Sequence, residues 1–86
     1  MPNSPQFIHA STVVKNLKNK PDNETLACLY GLYKQATLGN NTTMKPHMLD
    51  FIGLSKWKYW NKFNGLSPHQ SEIEYIKIVN KLISQE

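Results

Sequence analysis

Eighty-six residues and 9.9 kDa hold one small domain with a single modest core, since domains run from about 50 to 250 residues, and a two-domain arrangement is excluded. Hydrophobic residues at 40%, charged residues at 19% and a mean hydropathy of −0.51 describe a globular chain, with no run approaching the ~20 apolar residues of a membrane span. Ten lysines against six carboxylates leave a net charge of +4, with no arginine anywhere, which favours a phosphorylated or acidic partner over bidentate reading of base edges.

Met1-Pro2-Asn3-Ser4-Pro5-Gln6 lacks the apolar centre of a signal peptide, and the lone Cys28 can close no intramolecular disulfide. Both point to a cytoplasmic, reducing location. From there Phe7, Ala10, Val14 and Leu17, stepping by three and four, predict a first helix over roughly 5–18. Ser4 caps it, Pro5 occupies its first position, Lys15, Lys18 and Lys20 suit its negative end, and Pro21 stops it.

Asp22 caps a second helix, whose Leu26, Leu29, Tyr30, Tyr33 and Ala36 recur at helical spacing until Gly39. Residues 39–50 read as a long loop, with Met48, Leu49 and Phe51 expected to pack back on the core. Leu54, Trp57, Trp60 and Phe63 predict a short third helix ending at Gly65, with Asp50 or Ser55 as its cap. Ser67-Pro68-His69-Gln70 is a capping box opening a fourth helix, in which Ile73, Ile76, Val79, Leu82 and Ile83 form the expected buried stripe. No period-two alternation argues for a strand. The pattern is an all-α four-helix bundle of nonuniform topology, with a long loop between helices two and three.

Catalysis has little footing: His9, His47 and His69 lie far apart, and no metal-spaced cluster, nucleophile elbow or phosphate-cradling glycine loop is present. They read as surface or loop residues. Cys28 reads as a small core or groove residue, with no basic partner within a helical turn. Tyr30, Tyr33 and Lys34 differ, because on a helix they bring two rings and a cation to one face, a combination suited to an adenine nucleotide. The plainer alternative is that both rings plug the core, as aromatic stripes at helical spacing commonly do.

Four segments carry a family resemblance: Lys18-Asn19-Lys20-Pro21, the run Leu29-Tyr30-Gly31-Leu32-Tyr33-Lys34-Gln35-Ala36-Thr37-Leu38-Gly39, Met48-Leu49-Asp50-Phe51, and Lys56-Trp57-Lys58-Tyr59-Trp60-Asn61. Together they resemble the acyl-CoA-binding protein family, over nearly the whole chain. The resemblance implies an up-down-down-up four-helix bundle, a single acyl-CoA-binding domain over residues 1–86, cytoplasmic and monomeric. Such a domain binds medium- to long-chain acyl-CoA one-to-one, for buffering and transport, without chemistry or cofactor. Acyl-CoA-using enzymes and membrane surfaces would be met only transiently.

Carried over by position, Tyr30, Tyr33 and Lys34 hold the adenosine and its ribose phosphate, with Tyr33 stacked on adenine and Gly31 and Leu32 in the same stretch. Lys56 supplies a second cation, Tyr75 packs beside the ligand, Lys15 flanks it, and Leu26 and Ala27 line the acyl groove. Ile52 and Leu54 stand where the family commonly has lysines, Ile52 at a position tied to CoA contact, so the phosphate grip leans on Lys34 and Lys56. Ala27 replaces a bulkier residue and predicts a shifted chain-length preference. Two other readings are a small basic helical domain holding nucleic acid by nonspecific phosphate contacts, and a peptide-binding face at Trp57 and Trp60.

Overall fold

The computed structural model describes residues 3–86. It contains α1 (Pro5–Val13), continued by a 3₁₀ turn (Val14–Asn16), then α2 (Asn23–Leu38), α3 (Phe51–Lys62) and α4 (Pro68–Ser84). Every α-helix starts the same way: a side-chain oxygen of Ser4, Asp22, Asp50 or Ser67 accepts from the backbone N–H three residues on, at 3.2, 2.7, 3.0 and 3.0 Å. Each cap satisfies an N–H that the helix cannot pair internally. At Ser67 only half of the capping box forms, because the Gln70 side chain donates forward to Glu74 at 3.1 Å rather than back to the cap.

The first helix is shorter than its apolar spacing predicts. Three β-branched residues in a row, Thr12-Val13-Val14, weaken its end, and Leu17 is already extended at ψ 142°. Gly39 and Gly65, with φ of 84° and 96°, adopt the left-handed backbone where α2 stops and where the turn into α4 begins.

Contacts at the helix ends fix the direction of each helix. Leu26 and Ala27 near the start of α2 share a cleft with Phe51 and Ile52 at the start of α3, and the Trp60 indole near the end of α3 donates to the Gly39 carbonyl at 2.8 Å. These two helices are therefore parallel. Ser4 N–H donates to the Glu72 carboxylate at 3.1 Å, and the Glu86 carboxylate accepts from Lys18 N–H, so α1 and α4 are parallel as well. Thr25 near the start of α2 faces Leu82 near the end of α4, which makes α2 antiparallel to α4. The arrangement is up-down-down-up, with α2 packed between α3 and α4 and α1 on α4.

Phe7, Ala10, Leu29, Leu32, Ala36, Tyr75 and Val79 form the core, with Val14, Phe63, Ile76 and Leu82 packed against it half-buried. The α4 stripe is displaced from the expected one: Ser71, Glu72, Tyr75 and Val79 are buried, whereas Ile83 is exposed. Met48, Leu49 and Phe51 do not pack back on the core; all three are exposed. The loop is instead strapped along α3, where the Trp57 and Trp60 indoles donate to the carbonyls of Thr43 and Gly39 at 3.0 and 2.8 Å. Because the main packing partner of α3 is α2, its outer side and the loop beside it have no core to face.

Candidate functional site

Residues of α2 line two adjoining clefts. The first, about 410 Å³ between α1, α2 and α4, has Lys15, Leu26, Leu29, Tyr30, Tyr33 and Tyr75 among its walls and no carboxylate. The second, about 440 Å³ between α2 and α3, is bounded by Leu26, Ala27, Phe51, Ile52, Ser55 and Lys56. Leu26 belongs to both, so an aromatic, cationic compartment continues into an apolar one across a single side chain.

The first compartment is built on a ring cluster. Buried Phe7 meets Tyr33 with ring centres 5.7 Å apart and planes 24° from parallel, and it meets Tyr75 edge-on at 5.0 Å. Tyr33 is thus backed on one side by the core while remaining 41% exposed, which leaves ring surface for a planar ligand to stack on. Tyr75 is buried, and that burial, with Tyr33 nearby, pushes its hydroxyl pKa up. Its ring forms part of the cleft wall.

Cations gather at Tyr30. Lys34 Nζ lies 5.7 Å from its ring centre and Lys56 Nζ, arriving from α3, lies 5.2 Å from it. Lys34 also stands 5.5 Å from the Trp60 ring. Aromatic faces attract ammonium groups, so these contacts hold two flexible lysines at one tyrosine ring. Ammonium groups gathered without a carboxylate among them make a receptor for phosphate.

The expected site residues divide cleanly. Lys15, Leu26, Tyr30, Tyr33 and Tyr75 line the first cleft, and Ala27, Ile52 and Lys56 the second. Lys34 lines neither cleft but shares the Tyr30 ring with Lys56. Gly31 and Leu32 lie elsewhere: Leu32 is core at 1% exposure, and Gly31 faces α3, where a Cβ would stand 2.7 Å from the Tyr59 carbonyl carbon. The plug-the-core alternative for Tyr30 and Tyr33 fails, since Tyr30 is half-buried and Tyr33 exposed.

Sequence reasoning misses Phe7 as the backing of Tyr33, and Phe51 and Ser55 as walls of the apolar cleft. It also misses Gln35, buried at 1% exposure, whose side-chain amide donates to Asn40 Oδ1 and the Leu66 carbonyl, both at 2.9 Å. Gln35 thereby ties α2 to the loop and to the turn before α4. Cys28 takes no part in either cleft. It opens on the other side of α2 with Glu24, Tyr59 and Lys62, and burial raises its pKa against the opposing pull of Lys62. Among the described residues no group of His, Cys, Asp and Glu is placed to hold a metal ion, and no helix is long and apolar enough to cross a membrane.

Comparison with known proteins gives a consistent result. The family model described as acyl CoA binding protein matches residues 4–79. Acyl-CoA-binding protein homolog 1 of Caenorhabditis elegans is 42% identical over 79 residues, 92% of each chain. The acyl-CoA-binding protein homolog of Drosophila melanogaster is 42% identical over 82 residues, 95% of each. Among solved structures, acyl-CoA-binding protein 2 of Oryza sativa superposes with a TM-score of 0.89 at 34% identity, covering 93% of this chain and 87% of that one. The ACBP of Moniliophthora perniciosa gives 0.90 at 26% identity, covering 98% and 83%.

Proposed function

The chain belongs to the acyl-CoA-binding protein family, and from that premise we propose that it is a carrier that binds medium- to long-chain acyl-CoA esters one-to-one and releases them unaltered. The observation that supports this most strongly is the continuity of the two compartments through Leu26. A CoA ester has the same two-part character, an adenine nucleotide joined by a flexible arm to a hydrocarbon tail.

In this reading Tyr33, backed by Phe7, stacks on adenine, Tyr30 and Tyr75 wall the nucleotide, and Lys34 and Lys56 neutralise phosphate, with Lys15 flanking. The ribose phosphate carries about −1.5 to −2 charges, so several ammonium groups are matched to it. The tail lies along Leu26, Ala27, Phe51 and Ile52. Each buried methylene contributes about 0.8 kcal/mol, so the tail supplies affinity while the head supplies orientation. Nothing in this division requires a base, a nucleophile or a cofactor, and the role is binding rather than catalysis.

Buffering a detergent-like metabolite in the cytoplasm follows from such binding, as does delivery by a monomer in transient contact with acyl-CoA-using enzymes and membrane surfaces. The small Ala27 side chain leaves room in the tail cleft and predicts a shifted chain-length optimum, which a titration series of saturated acyl-CoA esters measures. The nucleic-acid reading finds no support in the comparisons.

Calorimetric titration with palmitoyl-CoA, free CoA and palmitate, at two salt concentrations, tests the carrier reading. Tight one-to-one binding of the ester, with much weaker binding of either half, is the expected result. Saturable binding of a polyanion in place of the ester, falling steeply with salt, overturns it.

A further inference from the structure

Ser11, half-buried on α1, is a wall of the cleft between α1, α2 and α4 that the rings and lysines leave without a role. It follows Phe7 by four residues and precedes Lys15 by four, and residues so spaced share a helix face. Phe7 backs Tyr33 and meets Tyr75, and both tyrosines line the same cleft as Ser11. A planar base stacked on Tyr33 inside this cleft therefore has the Ser11 hydroxyl within its surroundings.

The bonding role of that hydroxyl is fixed by its own helix. Ser11 Oγ donates to the Ile8 carbonyl at 2.7 Å, and among the described residues no group donates to it. A serine hydroxyl has one proton and two lone pairs, so towards the cleft Ser11 is an acceptor only. The other polar walls lack this fixed polarity. Lys15 offers donors alone, and the phenols of Tyr30, Tyr33 and Tyr75 rotate to donate or accept as a ligand demands.

A group that can only accept selects for a donor. On adenine the donor is the exocyclic 6-amino group, whereas hypoxanthine and guanine carry a carbonyl oxygen at that place. Two acceptors brought together repel, and both are left unpaired. We infer that Ser11 is a specificity-determining residue, accepting from the adenine 6-amino group while Tyr33 stacks on the ring, so that the cleft takes adenine-bearing esters over those with a 6-oxo base. The inference rests on the acyl-CoA reading and adds the choice of base to it. Stacking alone does not make that choice, because every base offers a face.

Calorimetric titration with three esters tests it: palmitoyl-CoA, its analogue with hydrogen in place of the 6-amino group, and its analogue with hydrogen in place of the ribose 2′-hydroxyl, the other donor of the nucleoside. The wild type is expected to bind the 6-deamino ester about fivefold more weakly than palmitoyl-CoA, the effect of one hydrogen bond. In Ser11→Ala the affinity for palmitoyl-CoA falls to that for the 6-deamino ester, and the two bind alike. The Ile8 carbonyl also accepts from the Thr12 hydroxyl at 3.2 Å, and alanine is a better helix former than serine, so the variant folds. A merely structural role would weaken both esters together and leave their ratio unchanged.

A wild type that binds both esters equally overturns the inference, as does a Ser11→Ala variant that keeps the fivefold ratio. Preference against the 2′-deoxy ester that vanishes in Ser11→Ala moves the contact to the ribose and also overturns it. A wild type that binds no palmitoyl-CoA removes the acyl-CoA reading and this inference with it, a result distinct from binding without preference.

Discussion

Lys56 on α3 stands 5.2 Å from the ring centre of Tyr30 on α2, and Lys34, one turn further along α2, stands 5.7 Å from the same ring, so cations from two helices converge on one tyrosine. In the carrier reading both cations face the phosphates of the CoA head. Lys34→Ala and Lys56→Ala should each weaken palmitoyl-CoA binding by about tenfold, or ~1.4 kcal/mol. Both should leave palmitate binding untouched. Calorimetry on the two ligands checks this, and equal affinity for the ester in both variants would remove the head-group assignment.

Ile52 lines the α2–α3 cleft together with Lys56. Ile52→Lys should bind free CoA more tightly by a factor of about two to five, the range for exposed charge pairs. The gain should disappear at high salt. Titrating free CoA at low and high ionic strength gives the answer, and a gain that persists at high salt counts against a charge effect.

Gly31 lets α2 and α3 approach. Alanine is the better helix former by about 1 kcal/mol, yet at this site its Cβ would lie 2.7 Å from the Tyr59 carbonyl carbon and oxygen and 2.9 Å from Trp60 N. Backbone atoms cannot swing aside as a side chain can. Gly31→Ala should therefore be destabilising by about 1–3 kcal/mol, seen as a lower thermal midpoint; a raised midpoint would mean that the helices part freely.

Glu72, only 7% exposed, accepts from the Asn3 amide at 2.7 Å and from Ser4 N–H at 3.1 Å. Burial on its own would raise its pKa, but these hydrogen bonds and the nearby His69 prevail and hold it below the ordinary value of 4.5. A carboxylate depressed in the folded state contributes stability that is complete above its unfolded pKa and is lost as pH falls through its folded one. Stability should thus start to fall as pH enters the ordinary carboxylate range and go on falling below it. Glu72→Gln should lose about 1–3 kcal/mol at neutral pH and flatten that acid limb. Urea titrations across the acid range measure both effects.

Cys28 carries a thiol whose pKa is raised by burial, with Lys62 opposing and Glu24 adding to the rise. Thiolate is the reactive form. At mildly alkaline pH the native chain should react with a disulfide reagent more slowly than the same chain in urea, and a native rate equal to the unfolded one would contradict the burial account.

How far the sequence revealed the molecule depends on how far apart the interacting residues lie. Ser4, Asp22, Asp50 and Ser67 were legible as caps because each acts only three residues ahead. Tyr30, Tyr33 and Lys34 were legible as one face for the same reason. Glu72 and Gln35 were not, since their partners lie 68 and 69 residues away for the one and up to 31 for the other. Nothing local distinguishes them from solvated residues. Met48, Leu49 and Phe51 mislead in the opposite sense: hydrophobicity says that a side chain gains by leaving water, and not whether the fold offers it a neighbour. The loop that carries them is tied to α3 by Trp57 and Trp60, beyond the reach of the core.

The chain folds into a slab with Cα extents of 36 × 31 × 15 Å, and such a shape leaves little room for a core distinct from a binding site. Leu29 and Tyr75 are counted in both, as buried packing residues and as walls of the cleft between α1, α2 and α4. A ligand seated there finishes the interior of the protein, so occupancy and folding are linked equilibria, and the unfolding midpoint becomes a gauge of ligand concentration. A substitution at Leu29 or Tyr75 accordingly belongs to neither stability nor affinity alone, and measuring one without the other misattributes its effect.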